Sequence, residues 1–205
     1  MAGISAIILA GGQSRRMGTN KALLPLDGQP LIARTAACLR PLADELIVVT
    51  NTPEAYQFLA TDFGAILTPD ALPTRSALVG LYSGLRAARG DLALAVACDM
   101  PFLNAALLRF MLSLAQTEYD VVAPQVNDLL EPLHAVYRPA TCTPAVERHL
   151  LAGDRRMISF YPAVQVRTVT SAEVAQFDRE HLSFVNVNTP EEWAQWQMFL
   201  NASKP

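Results

Sequence analysis

Two hydrophobic periodicities alternate along the chain, and that alternation constrains the fold more than any other feature. Short apolar runs read as strands buried on both faces: SAIILA from Ser5, ELIVVT from Glu45, GAIL from Gly64, LALAVA from Leu92 and DVVAP from Asp120. Between them stand longer stretches with helical spacing: PLIARTAACLRPL from Pro30, PEAYQFLATDF from Pro53, SALVGLYSGLRAARG from Ser76 and NAALLRFMLSLAQ from Asn104. Proline suits a first helical turn, where its missing N–H would have no partner anyway. Strand and helix in turn predict an α/β fold, a mostly parallel sheet flanked by helices and joined by right-handed crossovers.

The second half is less regular. EPLHAVYRP from Glu131 and VQVRTV from Val164 read as strands, and TPAVERHLLAG from Thr143 as a helix ending at Gly153. PEEWAQWQMFLN from Pro190 reads as a final helix, followed by a frayed NASKP. These strands predict a smaller mixed sheet in the C-terminal half or an extension of the first sheet. No repeat, low-complexity tract or Pro/Gly/Ser linker divides the 205 residues, of which 51% are hydrophobic. One domain spanning 1–205 is expected.

With 16 basic against 19 acidic residues, the formal net charge is −3, so no broad basic field for nucleic acid is expected. Any anion must be held by a local cluster. No apolar run reaches the roughly 18 residues needed to cross a bilayer, and no secretion signal is evident, so a cytoplasmic protein without membrane contact is expected. Cys38, Cys98 and Cys142 stand far apart, without metal or disulfide spacing, and read as packed thiols. Cys98 ends a strand, but no base lies near it in sequence. His134, His149 and His181 are scattered and suggest no histidine-based mechanism.

Open parallel sheets bind ligands beyond the carboxyl ends of their strands. That edge should carry Ala10 to Lys21, then Thr50 and Asn51, Thr68 to Asp70, and Cys98 to Met100. The first of these segments matches neither GxGxxG nor the Walker pattern, since Thr19 rather than lysine follows Gly18. Gly11 and Gly12 nevertheless free several N–H groups to face one anion, and Arg15, Arg16 and Lys21 add three cations. Roughly eighteen residues separate this strand from the helix at Pro30, far more than the usual two to six. A polyphosphate loop is expected there.

Asp99 follows an apolar strand at the same edge and suits Mg2+, which takes oxygen ligands and arrives with nucleotide phosphates; the next helix has Asn104 as its own cap. Asp70, in LTPDALP, reads on its own as turn chemistry. Asn186 and Asn188 share one face of an extended segment that ends in the capping box of Thr189 and Glu192. Arg155 and Arg156 read equally as exposed cations after a helix and as part of an anion site.

These segments together resemble a known family. LAGGQSRRMGTNK is similar to the LAGGxSxRMGxDK signature of the molybdenum cofactor guanylyltransferases and related nucleotidyltransferases. CDMPFL, EPLHAVYRP, GDRRMISF and FVNVNTPEE recur in the same order. The resemblance implies a Rossmann-like nucleotidyltransferase fold and Mg2+-dependent transfer of GMP from GTP to Mo-molybdopterin, giving the guanine dinucleotide cofactor and pyrophosphate. It implies a GTP-binding N-terminal half and a molybdopterin-binding C-terminal half. Upstream molybdenum-insertion proteins and recipient molybdoenzymes or their chaperones are the implied partners.

Residue by residue, the resemblance maps nucleotide binding onto Leu9, Ala10, Gly11, Gly12, Lys21, Asn51 and Asp70, and the metal ligand onto Asp99. Lys21 and Arg16 would hold the β- and γ-phosphates. Asn186 and Asn188, with Arg155 and Arg156, match the pterin side. Two departures stand out: Asn20 replaces the aspartate before the loop lysine, and Ser76-Ala77 replaces Gly-Pro in a GPLxG segment. A cytidylyltransferase, a sugar- or alditol-phosphate enzyme of the same fold, and a non-catalytic GTP or cofactor binder are the competing readings.

Overall fold

The computed structural model describes residues 3–11, 20–187 and 189–202. Its strands are β1 Ile4–Leu9, β2 Pro25–Leu26, β3 Gln29–Pro30, β4 Glu45–Val49, β5 Ile66–Thr68, β6 Leu92–Ala97, β7 Val121–Val126, β8 Leu129–Leu130, β9 His134–Tyr137 and β10 Val166–Val169. The helices are α1 Leu31–Leu39, α2 Gln57–Phe63, α3 Ala77–Ala87, α4 Ala105–Ala115, α5 Pro139–Leu151, α6 Ser171–Val174 and α7 Pro190–Ala202. Gly12, Arg15, Arg16 and Asn188, expected above in the site, lie outside the described residues.

The main sheet has the order β10-β7-β9-β6-β1-β4-β5, with β8 paired to β7. Four neighbours, β6, β1, β4 and β5, are parallel, as the strand and helix alternation requires. β9 runs antiparallel to both β6 and β7, and β10 is parallel to β7. The antiparallel admixture therefore falls in the C-terminal half, as expected, and takes the form of an extension of the first sheet. The separate small sheet is the β2–β3 hairpin.

β1 sits between β4 and β6 and is buried along its middle. Side chains alternate across its pleat, so Ala6 and Ile8 join the core beneath α1, α2 and α4, while Ile7 joins the core beneath α3 and α5. The faces of α3 and α5 are further joined by a hydrogen bond from the Tyr82 hydroxyl to Glu147.

Several boundaries differ from expectation for local reasons. Gly64 adopts φ 66° and caps the end of α2, so the strand read from it starts at Ile66. The helix read from Pro53 splits, because Tyr56 (φ −120°, ψ 12°) breaks a 3-10 turn, Pro53–Tyr56, from α2. α5 starts at Pro139 rather than Thr143. Both Pro139 and Pro144 are acceptable first-turn residues, and packing of Cys142, Ala145 and Val146 selects the earlier start. The first connection is not one plain loop: it contains a 3-10 turn, Lys21–Leu23, and the β2–β3 hairpin. The capping box at Thr189 forms, with Glu192 N–H donating to Thr189 Oγ1 at 3.1 Å and Thr189 N–H to Glu192 Oε2 at 3.2 Å. An unforeseen capping box, Thr170 with Glu173, starts α6.

α3 lies close on β1 because two of its residues have no side chain. A Cβ on Gly84 would stand 2.5 Å from Ile7 Cγ2 and 3.3 Å from Val49 Cγ2; one on Gly80 would stand 3.3 Å from Leu9 Cδ2. Gly84→Ala gains about 1 kcal/mol in helix propensity but overpacks a core where such insertions cost roughly 1–3 kcal/mol. The expected outcome is a lower urea midpoint for Gly84→Ala and a smaller drop for Gly80→Ala, whose Cβ would meet the tip of Leu9 and, at 3.9 Å, Asp70 Oδ1. An unchanged Gly84→Ala midpoint would show that Ile7 has room to move.

Candidate active site

At the carboxyl edge the main-chain ladder continues past the strands. Ala10 N–H donates to Val49 O at 2.9 Å, Cys98 N–H to Leu9 O at 3.3 Å and Thr50 N–H to Thr68 O at 2.8 Å. The segments after β1, β4, β5 and β6 are thereby held side by side. They enclose a cleft of about 450 Å3 whose wall includes Leu9, Gly11, Asp70, Arg75, Ser76 and Asp99. A second hollow of about 290 Å3 adjoins it, with Asn51 on its wall, and shares Asp70 and Arg75.

Asp70 is more than a turn residue. Asn51 Nδ2 donates to Asp70 Oδ2 at 2.7 Å, and the Asp70 N–H donates to Asn51 Oδ1 at 3.1 Å. This two-way pair fixes the carboxylate facing Gly11, where a Cβ would come within 4.0 Å of Asp70 Oδ2. The next residue is pinned to α3, because Ala71 N–H donates to Ser83 Oγ at 2.8 Å. Ser76 caps α3, its hydroxyl accepting from Val79 N–H at 3.2 Å. The Ser76-Ala77 departure therefore keeps a capped helix start on the cleft wall. Arg75, which the sequence reading did not single out, lines both hollows. Its only sequence signal is adjacency to a helix cap.

Asp99 lies on the opposite side, after β6. Burial pushes its carboxyl up, while its own backbone N–H and the Lys21 ammonium pull it back down. The charge of Lys21, in the 3-10 turn that follows the opening loop, thus acts on Asp99. Asp99 O accepts from Val187 N–H at 3.2 Å, so the segment carrying Asn186 runs alongside. Asn186 itself donates locally to Phe184 O at 3.4 Å. Among the described residues no cluster of three acidic, histidine or cysteine side chains forms a metal cage. The donor set fits an ion held by one carboxylate, with phosphate oxygens and water completing its shell, the habit of Mg2+.

Arg155 and Arg156 are exposed beyond α5, and neither lines the cleft. Arg156 forks onto Asp154, with Nε to Oδ1 at 3.1 Å and Nη2 to Oδ2 at 2.6 Å, and these bonds hold the Asp154 carboxyl down at about 2. The Cys98 thiol is pushed up to about 12 by burial and then by the Asp99 charge, so it is no nucleophile near neutral pH.

A family model, the MobA-like NTP transferase domain, matches residues 6–168. A molybdenum cofactor guanylyltransferase of Desulfosudis oleivorans is 35% identical over 205 residues, covering 100% of this chain and 99% of that one. Among solved structures, the molybdopterin-guanine dinucleotide biosynthesis protein A of Archaeoglobus fulgidus superposes with a TM-score of 0.82 at 24% identity, over 97% of this chain and 99% of that one. The 4-diphosphocytidyl-2C-methyl-D-erythritol synthase of Anaerococcus prevotii superposes at 0.73 with 14% identity, over 97% and 96%. The likenesses to these two structures establish the shared fold.

His134 sets an acid limit on the structure. It is fully buried on β9, beside the Phe184 ring at 4.6 Å, and neither ring nitrogen has a hydrogen-bond partner among the described residues. Burial lowers its pKa to about 4, against a weaker upward pull from Asp178. An unfolded chain protonates this imidazole below about pH 6.5, while the folded chain resists until about pH 4, so stability is intact above 6.5 and is lost as pH falls between these values. The linked loss is on the order of 3 kcal/mol at full extent. Urea titrations across this range are expected to show a shallower decline for His134→Phe than for the parent chain, and parallel curves would refute the linkage.

Proposed function

Because the chain belongs to the MobA-like NTP transferase family, we propose that it transfers GMP from GTP to Mo-molybdopterin, releasing pyrophosphate and forming the molybdopterin guanine dinucleotide. The observation that carries this reading is the division of the cleft: the paired Asn51 and Asp70 at one end, and Lys21 near the desolvated Asp99 at the other. The first pair suits the guanosine, with Asp70 accepting and Asn51 fixing its orientation. The second suits a chain of phosphates, which needs cations and low dielectric more than covalent chemistry.

The reaction joins a terminal phosphate oxygen of molybdopterin to the α-phosphorus of GTP while the bond from that phosphorus to the pyrophosphate oxygen breaks. No general base is required, since a phosphate monoester is largely ionised near neutral pH. Gly11 and Gly12 would offer backbone N–H groups to the phosphates, while Leu9 and Ala10, whose N–H at Ala10 is already held by Val49 O, would meet the nucleotide as the end of the strand beneath it; Lys21 with Arg16 would neutralise charge gathering on the departing pyrophosphate. Asp99 would hold Mg2+, which supplies further neutralisation of the phosphate oxygens. The segment carrying Asn186, tied to Asp99 through Val187, is assigned to the pterin, and Asn188 is assigned there on the resemblance alone. Arg155 and Arg156 are assigned to the pterin as well, on the resemblance alone.

Pyrophosphate release, measured with GTP, CTP and ATP in the presence of Mg2+ and Mo-molybdopterin, tests the reading. GTP is expected to turn over fastest, and Asp99→Ala to lose about a hundredfold or more in rate while keeping its circular dichroism. Equal turnover with CTP would overturn the guanylyl assignment. Tight GTP binding with no turnover of any nucleotide would favour a binding protein.

A further inference from the structure

We propose that Tyr56 and Asn20 act as a positioning pair for Lys21, a neutral phenol and amide contact that fixes the lysine's turn at the wall of the nucleotide cleft. The inference rests on the nucleotide reading above. Asn20 caps the 3-10 turn Lys21–Leu23, its Oδ1 accepting from Ala22 N–H at 3.2 Å. Its Nδ2 donates to the Tyr56 hydroxyl oxygen at 2.9 Å. That hydroxyl is also within 3.2 Å of Asn20 Oδ1 and, at a longer 3.5 Å, of Ala10 O.

A phenol has one proton to give. Two acceptors lie within its reach: Asn20 Oδ1, which has a second lone pair beside the one that takes the Ala22 N–H, and the Ala10 carbonyl at the end of the first strand's ladder. Tyr56 is 1% exposed, so its hydroxyl has little access to water and depends on these partners. One buried hydroxyl therefore joins the residue where the chain leaves β1, the residue that precedes Lys21, and the turn that follows Asn51. Lys21 is the next residue after the joint, and its charge reaches Asp99.

The amide matters because it both donates and accepts. A carboxylate at position 20 caps Ala22 equally well but only accepts, so the donation from position 20 to the Tyr56 oxygen is lost and the phenol proton is drawn toward the carboxylate. It would also put a second negative charge beside a lysine whose field is needed at Asp99 and on incoming phosphates. With the amide, the joint is closed and Lys21 shares its field with no acidic neighbour at position 20.

The test is GTP binding with Mg2+ and no acceptor, measured by calorimetry for the full chain, Tyr56→Phe, Lys21→Ala and the double variant. Tyr56→Phe keeps the ring and removes one oxygen. It is expected to weaken binding about fivefold, the scale of one lost hydrogen bond, and to change affinity less than twofold when Lys21 is already alanine. Asn20→Ala is expected to behave like Tyr56→Phe and serves in its place should that variant fail to fold. Asn20→Asp is expected to weaken binding as well. Equal weakening with and without Lys21, or none at all, overturns the positioning role. No GTP binding by the parent chain would instead remove the nucleotide reading on which the inference stands.

Discussion

The close seating of α3 on β1 is the constraint from which the site follows. Gly84 lets the helix backbone approach Ile7, and Gly80 does the same over Leu9, whose carbonyl carries the ladder on to Cys98. With any larger side chain at position 84 either Ile7 must give way or the helix must lift, and what hangs from its surface lifts with it. Ser83 on the same helix holds Ala71, and thereby Asp70; Ser76 at its start forms part of the cleft wall. Close packing in the core is thus converted into the placement of a carboxylate at the sheet edge, well away from the contact itself.

Charge in the cleft is arranged by solvation as much as by sign. The chain is mildly acidic overall, so a polyanion meets no general attraction and depends on local charge and on backbone donors. Asp99 is kept short of water, which raises the cost of its charge, and Lys21 offsets part of that cost. A cation brought in with phosphates would relieve it further. Asp70 is paired with the neutral Asn51 amide, at the end of the cleft that the proposed function assigns to the guanosine.

The sheet's parallel half was legible in the sequence, since buried parallel strands leave unbroken apolar runs such as LALAVA, and its β6 matches that run residue for residue. Asn104 was legible as a cap because its Oδ1 accepts locally, from Ala106 and Leu107 N–H, whereas the donation of its Nδ2 to Phe177 O, 73 residues on, left no sequence mark. The pairing of Asn51 with Asp70 was not, because it spans the whole crossover from β4 to β5 and leaves no local mark. Arg75 escaped for the same reason, and the Asn20 exchange looked like a defect until its partner, 36 residues away in sequence, was in view. Start sites at Pro139 and Ile66 were misread where two local rules competed and packing or a left-handed glycine chose between them.

An apolar cluster also crosses any line drawn between a nucleotide half and an acceptor half. Leu26 and Leu31, just beyond the Lys21 turn, pack with Val187, Phe102, Trp193 and Trp196. Trp193 Nε1 donates to Pro25 O at 3.1 Å, and Asp27 N–H donates to Gln197 Oε1 at 3.2 Å, so α7 grips the β2–β3 hairpin directly. Phe102 belongs to the loop after Asp99, and Val187 donates to Asp99 itself. Lysine turn, acidic loop and asparagine segment therefore share one small core. A shift of α7 is resisted by all three at once, which makes the last helix part of the support for the first loop despite the length of chain between them.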